Sequence, residues 1–453
     1  MRGLEGSNAI GAPIRTGPRK VCRLDFRADR LQPAMLQKIR DHEAIKHLGP
    51  GLITGAADDD PSGIATDSQA GAQFGFNMLW TVVLTYPLMV GIQMIGARMG
   101  WITGQGLAAN FRKVFPRPVV LVLVGLLMGA NTINIAADIA AMGEALQLIV
   151  GGGEHFHAVV FGFLSLVLQI FMPYERYVRF LKWLTLSLLS YVAVAFTVNV
   201  PWTEVVARTA WPDLTFGPEA ITVIVAVFGT TISPYLFFWQ AAQEAHIGAT
   251  PEAAALRRSA EFTRLHLRRI KWDTYIGMGF SNLIAFFIIL GAGATLHAAG
   301  ITEIQTARQA AEALRPLAGE LTFMLFAAGI IGTGMLAVPV LAGSAAYALA
   351  ETFDWTTGLD RKLFEAKEFY AMLTAATIGG TLLDFTGIDP IKALFWSAVV
   401  NGFIAVPIMA VTMVLAERRE VMGDFVVKPR LRALGWSATL VMLAAAVAMV
   451  AIR

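Results

Sequence analysis

Three consecutive carboxylates, Asp58, Asp59 and Asp60, are followed by Pro61, Ser62 and Gly63 in the middle of an apolar run from Leu48 to Gly75. A run of that length can cross a bilayer, and a carboxylate at its centre costs roughly 2.5–3.5 kcal/mol even on the mildest insertion scale. Pro61 removes a helical hydrogen bond, and Ser62 and Gly63 are expected to leave the backbone free to unwind. Acids and a break persist together in such a place when they serve a common purpose. Two half-helices meeting near the midplane turn free carbonyls and a carboxylate towards a cation. Consecutive helical residues point about 100° apart, so the three acids cannot all face one ion. Asp60, beside the break, is the expected direct ligand. Asp59 is expected to line an aqueous vestibule, and Asp58 to be protonated or paired against another helix. Asp67 is expected to be structural or near the mouth of the pathway.

The elements that must position these acids are membrane spans. In 453 residues, 56% are hydrophobic and 15% charged, and the mean hydropathy is +0.58, a composition for which bilayer is the solvent. The spans read from the sequence are about 48–75, 78–97, 119–150, 156–173, 183–200, 218–243, 273–297, 319–350, 368–384, 389–416 and 433–452, eleven in all. With the N-terminus inside, 31 of the 36 Lys and Arg fall in inside segments, which supports both the count and the orientation: N-terminus cytoplasmic, C-terminus outside. Residues 1–47 form a basic cytoplasmic tail, with no apolar run long enough for a cleaved export signal. Cys22, the one cysteine, lies in that tail and has no expected role. Pro251–Lys271 is expected to be a solvated loop helix on the inside, and Ile301–Leu314 a short surface helix outside.

The sixth span repeats the pattern of the first. Phe228-Gly-Thr-Thr-Ile-Ser-Pro-Tyr235 puts a small polar cluster and a proline at the centre of an apolar run. Five spans separate the two breaks, and an odd repeat length means inverted topology, with the substrate between two broken helices. The expected organisation is therefore an all-α membrane protein with spans 1–5 (48–200) and 6–10 (201–416) as inverted repeats, and 417–453 as a cytoplasmic loop and an eleventh span.

The stretch from Gly49-Pro-Gly-Leu-Ile through Asp60-Pro-Ser-Gly-Ile-Ala-Thr-Asp-Ser-Gln-Ala-Gly71 resembles the first helix of the Nramp (natural resistance-associated macrophage protein) family of divalent metal transporters. Gly229-Thr-Thr-Ile-Ser-Pro-Tyr235 is similar to that family's sixth helix, and the tenth-span exit, Arg418-Arg419 ahead of Val421-Met-Gly423, also resembles it. The resemblance covers residues 45–425 and implies a LeuT-type 5+5 fold working by alternating access. It places Asp60 on the metal-binding aspartate, Thr230 on the residue whose carbonyl contacts the ion, and Asp138 on a third-helix aspartate implicated in proton passage.

Departures from the family pattern carry the finer expectation. Gly63 replaces the binding asparagine, Ser233 the methionine that offers a thioether, Tyr235 one histidine and Gln240 another. Ala141 replaces an acid, and Ala398 a tenth-helix glutamine, with Asn401 one turn on as a substitute. Loss of a soft thioether weakens discrimination in favour of transition metals. The remaining oxygens, with Gly63 and Ser233 leaving room for water, suit a hard, partly hydrated cation: Mg²⁺, with Mn²⁺ also admitted. A magnesium-transporting subgroup related to Nramp shows this kind of substitution, and the chain resembles it more than the transition-metal branch. With both histidines absent, movement without proton coupling is favoured over symport, although a buried Asp138 remains able to carry a proton.

The expected substrate is thus Mg²⁺ or Mn²⁺, with no cofactor, no nucleic acid and no obligate protein partner besides the lipid bilayer, and the expected place is a bacterial inner membrane. One alternative is a proton-coupled Mn²⁺/Fe²⁺ symporter. Another is a LeuT-type carrier in which Asp60 meets the ammonium of an amino acid or amine. An intramembrane enzyme is disfavoured, since neither Gly-x-Ser-x-Gly nor an intramembrane His-x-x-x-His occurs, and no P-loop marks a motor. The outside pair His155 and His157 lacks a third ligand in register and is not expected to bind metal, and Asp384 and Asp389 are expected to be loop residues.

Overall fold

The computed structural model describes residues 49–172, 186–213, 216–249, 257, 259–359, 363–387 and 389–452. The basic tail with Cys22 and the loop at 174–182 lie outside the described residues. The regular structure of the described residues is helical. In chain order the helices are α1 (Pro50–Asp58), α2 (Pro61–Phe74), α3 (Leu79–Thr103), α4 (Leu107–Val114), α5 (Arg117–Val150), α6 (Glu154–Phe171), α7 (Leu189–Thr197) and α8 (Trp202–Ala210). They continue with α9 (Pro218–Thr231), α10 (Pro234–Ala249), α11 (Ala260–Ala292), α12 (Ala307–Glu312), α13 (Thr322–Phe353), α14 (Lys367–Leu383), α15 (Pro390–Ala416) and α16 (Pro429–Ile452).

Each stretch read as a span contains α-helix among the described residues, with breaks inside the first and sixth. By length and hydropathy, seven helical stretches among the described residues suffice to cross a membrane, or eight if the pair Leu186–Thr197 and Trp202–Ala210, bent by 115°, is one span. Large apolar side chains on the perimeter, such as Phe163, Phe196, Ile276 and Val447, are exposed, as expected of an integral membrane protein whose outer face meets lipid.

Three sequence expectations need correction. The first helix does not unwind over Ser62 and Gly63. It breaks at Asp59 (φ −80°, ψ 47°), and Pro61 begins a new helix whose first turn contains Ser62 and Gly63. Proline at the first helical position loses no bond and is preset for the helix, so here it starts a half-helix. The charged inside stretch is not a separate loop helix from Ala260 onwards: α11 runs unbroken from Ala260 to Ala292, capped by Ser259 accepting from Phe262 N–H. The short outside helix is confined to Ala307–Glu312 and buries Ala307, Ala310 and Ala311 against the bundle.

The two broken helices match. α9 ends in a break at Ile232 (φ −106°, ψ 52°), close to the torsions of Asp59, and α10 restarts with Pro234. α2 packs against α9, and α1 against α10, while α5, α11 and α15 surround the junction. Close packing fixes this geometry: a methyl group at Gly55 would overlap the backbone of Gly277 on α11, and one at Gly229 would overlap the Ala398 carbonyl on α15.

The loops gather at two ends. At one end Arg112 pairs with Asp354, and the Glu351 carboxylate accepts from Ala109 N–H at the start of α4. At the other, Gln69 on α2 donates to the Thr302 carbonyl and accepts from Ile304 N–H, while Glu144 accepts from Ala307 N–H. A cavity opens at each end: about 310 Å³ beside Gln105, His246 and Glu351, and about 450 Å³ between Gln69, Glu219, Glu303 and Lys392.

Candidate functional site

Asp60 is the N-cap of α2. Its Oδ1 accepts from Gly63 N–H at 2.7 Å, which satisfies one of the unpaired amides at a helix start. Its Oδ2 accepts from the Asn134 amide on α5 at 3.0 Å and lies 3.1 Å from the Tyr235 hydroxyl on α10. The same hydroxyl lies 3.1 Å from the Ala57 carbonyl near the end of α1, so one proton is shared between two acceptors. Asp60, only 2% exposed, thus ties α2 to α5 and α10, and through the Tyr235 hydroxyl to α1, with no cationic side chain among its hydrogen-bond partners.

The other expected site residues divide into those that converge and those that do not. Gly63 faces Thr230: a Cβ built at Gly63 would stand 3.2 Å from the Asp58 carbonyl, 3.5 Å from Thr230 Oγ1 and 3.6 Å from Asp60 Oδ1. Ser233, in the second break, turns its hydroxyl back to donate to the Gly229 and Thr230 carbonyls at 2.6 and 2.8 Å. The carbonyl expected at the ion therefore already accepts one hydrogen bond. Asp138, fully buried one turn beyond Asn134 on α5, is close enough to the junction to feel the charge of Asp60. Asn401 is buried on α15 and its Oδ1 has no hydrogen-bond partner, but it is not among the groups bonded to Asp60.

Asp58 and Asp59 are held differently. Ser281 Oγ on α11 lies 2.5 Å from Asp58 Oδ2 and 3.1 Å from Asp59 Oδ1, so both acids share one hydroxyl against a neighbouring helix. That is the pairing expected for Asp58 and a departure for Asp59, which faces α11. Asp67 is buried, at 3% exposure. Gln240 bonds to Thr274. His155 meets Asp384 at 2.9 Å, so Asp384 ties α6 to the end of α14, and Asp389 caps α15 through Lys392 N–H.

Asn134 was not among the expected site residues. The signal for it was present: Asn131, Asn134 and Asp138 recur at intervals of three and four residues, which places them on one face of an apolar helix. Asn131, on that face, donates to the Leu341 carbonyl and Ser344 on α13. Ser62, beside Asp60, donates to the Leu394 carbonyl on α15 and lies 3.2 Å from Ser397. Among the described residues, no group of three or more His, Cys, Asp or Glu side chains is arranged to hold a metal.

Comparison with known proteins agrees with this architecture. A solved structure of the Eremococcus coleocola manganese transporter, in complex with an aromatic bis-isothiourea substituted compound, superposes with a TM-score of 0.69 at 16% identity, covering 89% of this chain and 86% of that one. Mhp1, a nucleobase-cation-symport-1 family transporter in a closed conformation, superposes with a TM-score of 0.55 at 15% identity, covering 89% and 93% of the two chains. These likenesses show the fold, the LeuT-type arrangement. In sequence, the divalent metal cation transporter MntH of Klebsiella pneumoniae subsp. pneumoniae is 27% identical over 404 residues, which is 86% of this chain and 90% of that protein. The profile of the family described as natural resistance-associated macrophage protein-like matches residues 51–451, and the chain belongs to this Nramp family of membrane transporters.

Proposed function

We propose that this protein carries a partly hydrated, hard divalent cation, Mg²⁺ with Mn²⁺ also admitted, across the membrane by alternating access, with the ion bound at Asp60 where the two broken helices meet. The observation that carries this reading is the Asp60 carboxylate, buried at the junction and partnered by amide and hydroxyl donors alone. A buried charge without a counter-charge is costly, and a cation of the transported class supplies one. Beside it, around the Gly63 position, stand the Asp58 carbonyl and Thr230 Oγ1, and in the second break the Ser233 hydroxyl donates to the Gly229 and Thr230 carbonyls. No sulfur ligand accompanies them among the residues placed at the break, and oxygen ligands favour Mg²⁺, Ca²⁺ and Mn²⁺.

In this reading residues 48–200 and 201–416 are the inverted repeats, eleven spans cross the membrane, and the N-terminus is cytoplasmic and the C-terminus outside. The basic loops support that orientation, and a bacterial inner membrane fits it. The single Tyr235 proton, shared between Ala57 and Asp60, links ion binding to α1: a cation on Asp60 competes for the carboxylate and leaves the hydroxyl to Ala57. A membrane potential suffices to drive the ion, since two charges crossing 100 mV gain about 4.6 kcal/mol.

A second reading, proton-coupled Mn²⁺ symport, is favoured by the buried Asp138 near Asp60 and by the manganese transporter and divalent metal cation transporter among the similar proteins. Uptake into proteoliposomes holding a Mg²⁺-sensitive dye and a pH reporter separates the two. The proposal predicts Mg²⁺ entry, competition by Mn²⁺, no acidification of the lumen and background uptake in Asp60→Ala. Mn²⁺ entry alone, accompanied by acidification, would establish the second reading instead.

A further inference from the structure

We infer that Asn134, on α5, is a cation ligand: it supplies from the third span the amide oxygen that Gly63 cannot supply from the first. The inference rests on the reading of Asp60 as the ion's carboxylate and names a further group that holds the same ion.

Asn134 is fully buried in the middle of a largely apolar helix. Its Nδ2 donates to Asp60 Oδ2 at 3.0 Å, while its Oδ1 has no hydrogen-bond partner. A buried amide that satisfies its donor and strands its acceptor is in an unfavourable state, because the unpaired carbonyl keeps its full desolvation cost. An anchor needed only to hold Asp60 would be served as well by a donor without an acceptor. What the asparagine adds is an oxygen.

The two ends of the amide suit two states of the site. Beside an ion-free carboxylate, the NH₂ group faces Asp60 and neutralises part of its charge. With a cation on the carboxylate, the NH₂ group is repelled, and a half-turn about the terminal side-chain bond presents the carbonyl oxygen in its place. That torsion is broad and roughly two-fold, so the turn is accessible without moving the helix. An amide oxygen is a neutral, hard ligand of the kind that suits Mg²⁺ and Mn²⁺. Asn134 therefore stabilises the carboxylate when the site is empty of substrate and the ion when it is filled.

Position 63 explains why the amide comes from α5. A Cβ at Gly63 would point among the Asp58 carbonyl, Thr230 Oγ1 and Asp60 Oδ1 at 3.2–3.6 Å. A side chain there would face Asp60 Oδ1, while Asn134 bonds Asp60 Oδ2, so an amide can address the same carboxylate from either position.

The test is an amide relocation in the full-length protein, read as the Mn²⁺ concentration giving half-maximal uptake in proteoliposomes, with Mg²⁺ as competitor. Asn134→Leu, close in shape and without polar atoms, is expected to raise that concentration about tenfold, the scale on which groups around a metal act. Adding Gly63→Asn to Asn134→Leu is expected to recover most of the loss, and Asn134→Asp, which keeps an oxygen, to retain saturable uptake. Unchanged half-saturation in Asn134→Leu would overturn the inference. So would a loss that neither Gly63→Asn nor Asn134→Asp restores, the mark of a residue needed only for packing. If Asn134→Leu does not fold, judged by gel filtration and thermal midpoint, Asn134→Asp decides: saturable uptake supports the inference and its loss in a folded protein overturns it. Asp60→Ala separates the two levels. Wild-type uptake in that variant rejects the site itself, whereas an inactive Asp60→Ala beside an unaffected Asn134→Leu rejects the role of Asn134 alone.

Discussion

Asp60 does two jobs with two oxygens, one capping α2 through Gly63 N–H and the other facing Asn134 and Tyr235. Replacing it therefore removes a charge and a helix cap together, and an N-cap alone is worth about 0.5–2 kcal/mol. The effect of Ser233 is more selective. Its hydroxyl sits on the carbonyls of Gly229 and Thr230, at the place where the family offers a thioether. Ser233→Cys changes one atom from oxygen to sulfur, and soft ligands favour soft ions. Cd²⁺ is expected to become a several-fold stronger competitor of Mg²⁺ uptake in this variant, on the tenfold scale typical of changes around a metal site. An unchanged competition curve would place the 233 side chain away from the ion. At this scale the sequence told Asp60 from its neighbours because proline follows it directly. It did not reveal Asn134, whose meaning depends on α5 crossing α2, nor that Asp58 and Asp59 share Ser281 on α11, because these contacts join residues 74 and more than two hundred positions apart.

The half-helix α1 is held at both ends by other helices. Asp273 on α11 accepts from Gly51 N–H at 2.8 Å and Leu52 N–H at 3.2 Å, capping its first turn from another helix. Tyr235 reaches its far end at the Ala57 carbonyl. Asp273→Ala leaves the Gly51 amide without an acceptor, whereas Leu52 N–H keeps its bond to the Gly49 carbonyl, and is expected to lower stability by about 1 kcal/mol, seen as a lower thermal midpoint in detergent. An unchanged midpoint would mean that water replaces the carboxylate and that the cap is not a restraint. Close by in the bundle, Glu244 on α10 is bonded to His266 and Arg269 on α11, so α10 is fastened to the helix that restrains α1. At the same end, the Arg112 guanidinium holds the exposed Asp354 carboxyl below its usual range. A carboxyl with a lowered folded value keeps its bond at every pH above the unfolded value, near 3.9, and loses it as the pH falls through the folded one. This surface tether is therefore indifferent to pH near neutrality, and the expected result is no change in the α4 to α13 contact between pH 6 and 8, measured by amide hydrogen exchange in α4. Where the helices lie was largely legible, because apolar length and charge alternation are properties of segments. The site of the break was off by a few residues, because proline reads equally as a helix breaker and as a first helical residue, and only the cap made by Asp60 decides between them.

At the scale of the whole molecule, the protein is a transporter rather than an enzyme, and its fold places the buried Asp60 carboxylate between two end cavities. The cavity beside Gln69 and Glu303 and the one beside His246 and Glu351 lie at opposite ends of the bundle, while Asp60 is buried between them. Alternating access requires such an arrangement: a fixed site, two approaches and elements that rock around it. The torsions at Asp59 and Ile232 match, and each break is followed two residues later by a proline-led half-helix, at Pro61 and at Pro234. That recurrence was legible in the sequence because the same rare pattern, a small polar cluster with a proline inside an apolar run, occurs twice. Ion selectivity was not legible to the same degree, since it depends on which oxygens turn inwards, and Ser233 turns its own towards the backbone. The central claim is that the transported ion sits on Asp60 at the meeting point of α1, α2, α9 and α10. Anomalous X-ray scattering from crystals soaked in Mn²⁺ tests it most directly. The account predicts one dominant peak in contact with the Asp60 carboxylate, diminished by excess Mg²⁺ and absent from Asp60→Ala. A peak elsewhere in the bundle, or one that survives Asp60→Ala, would contradict it.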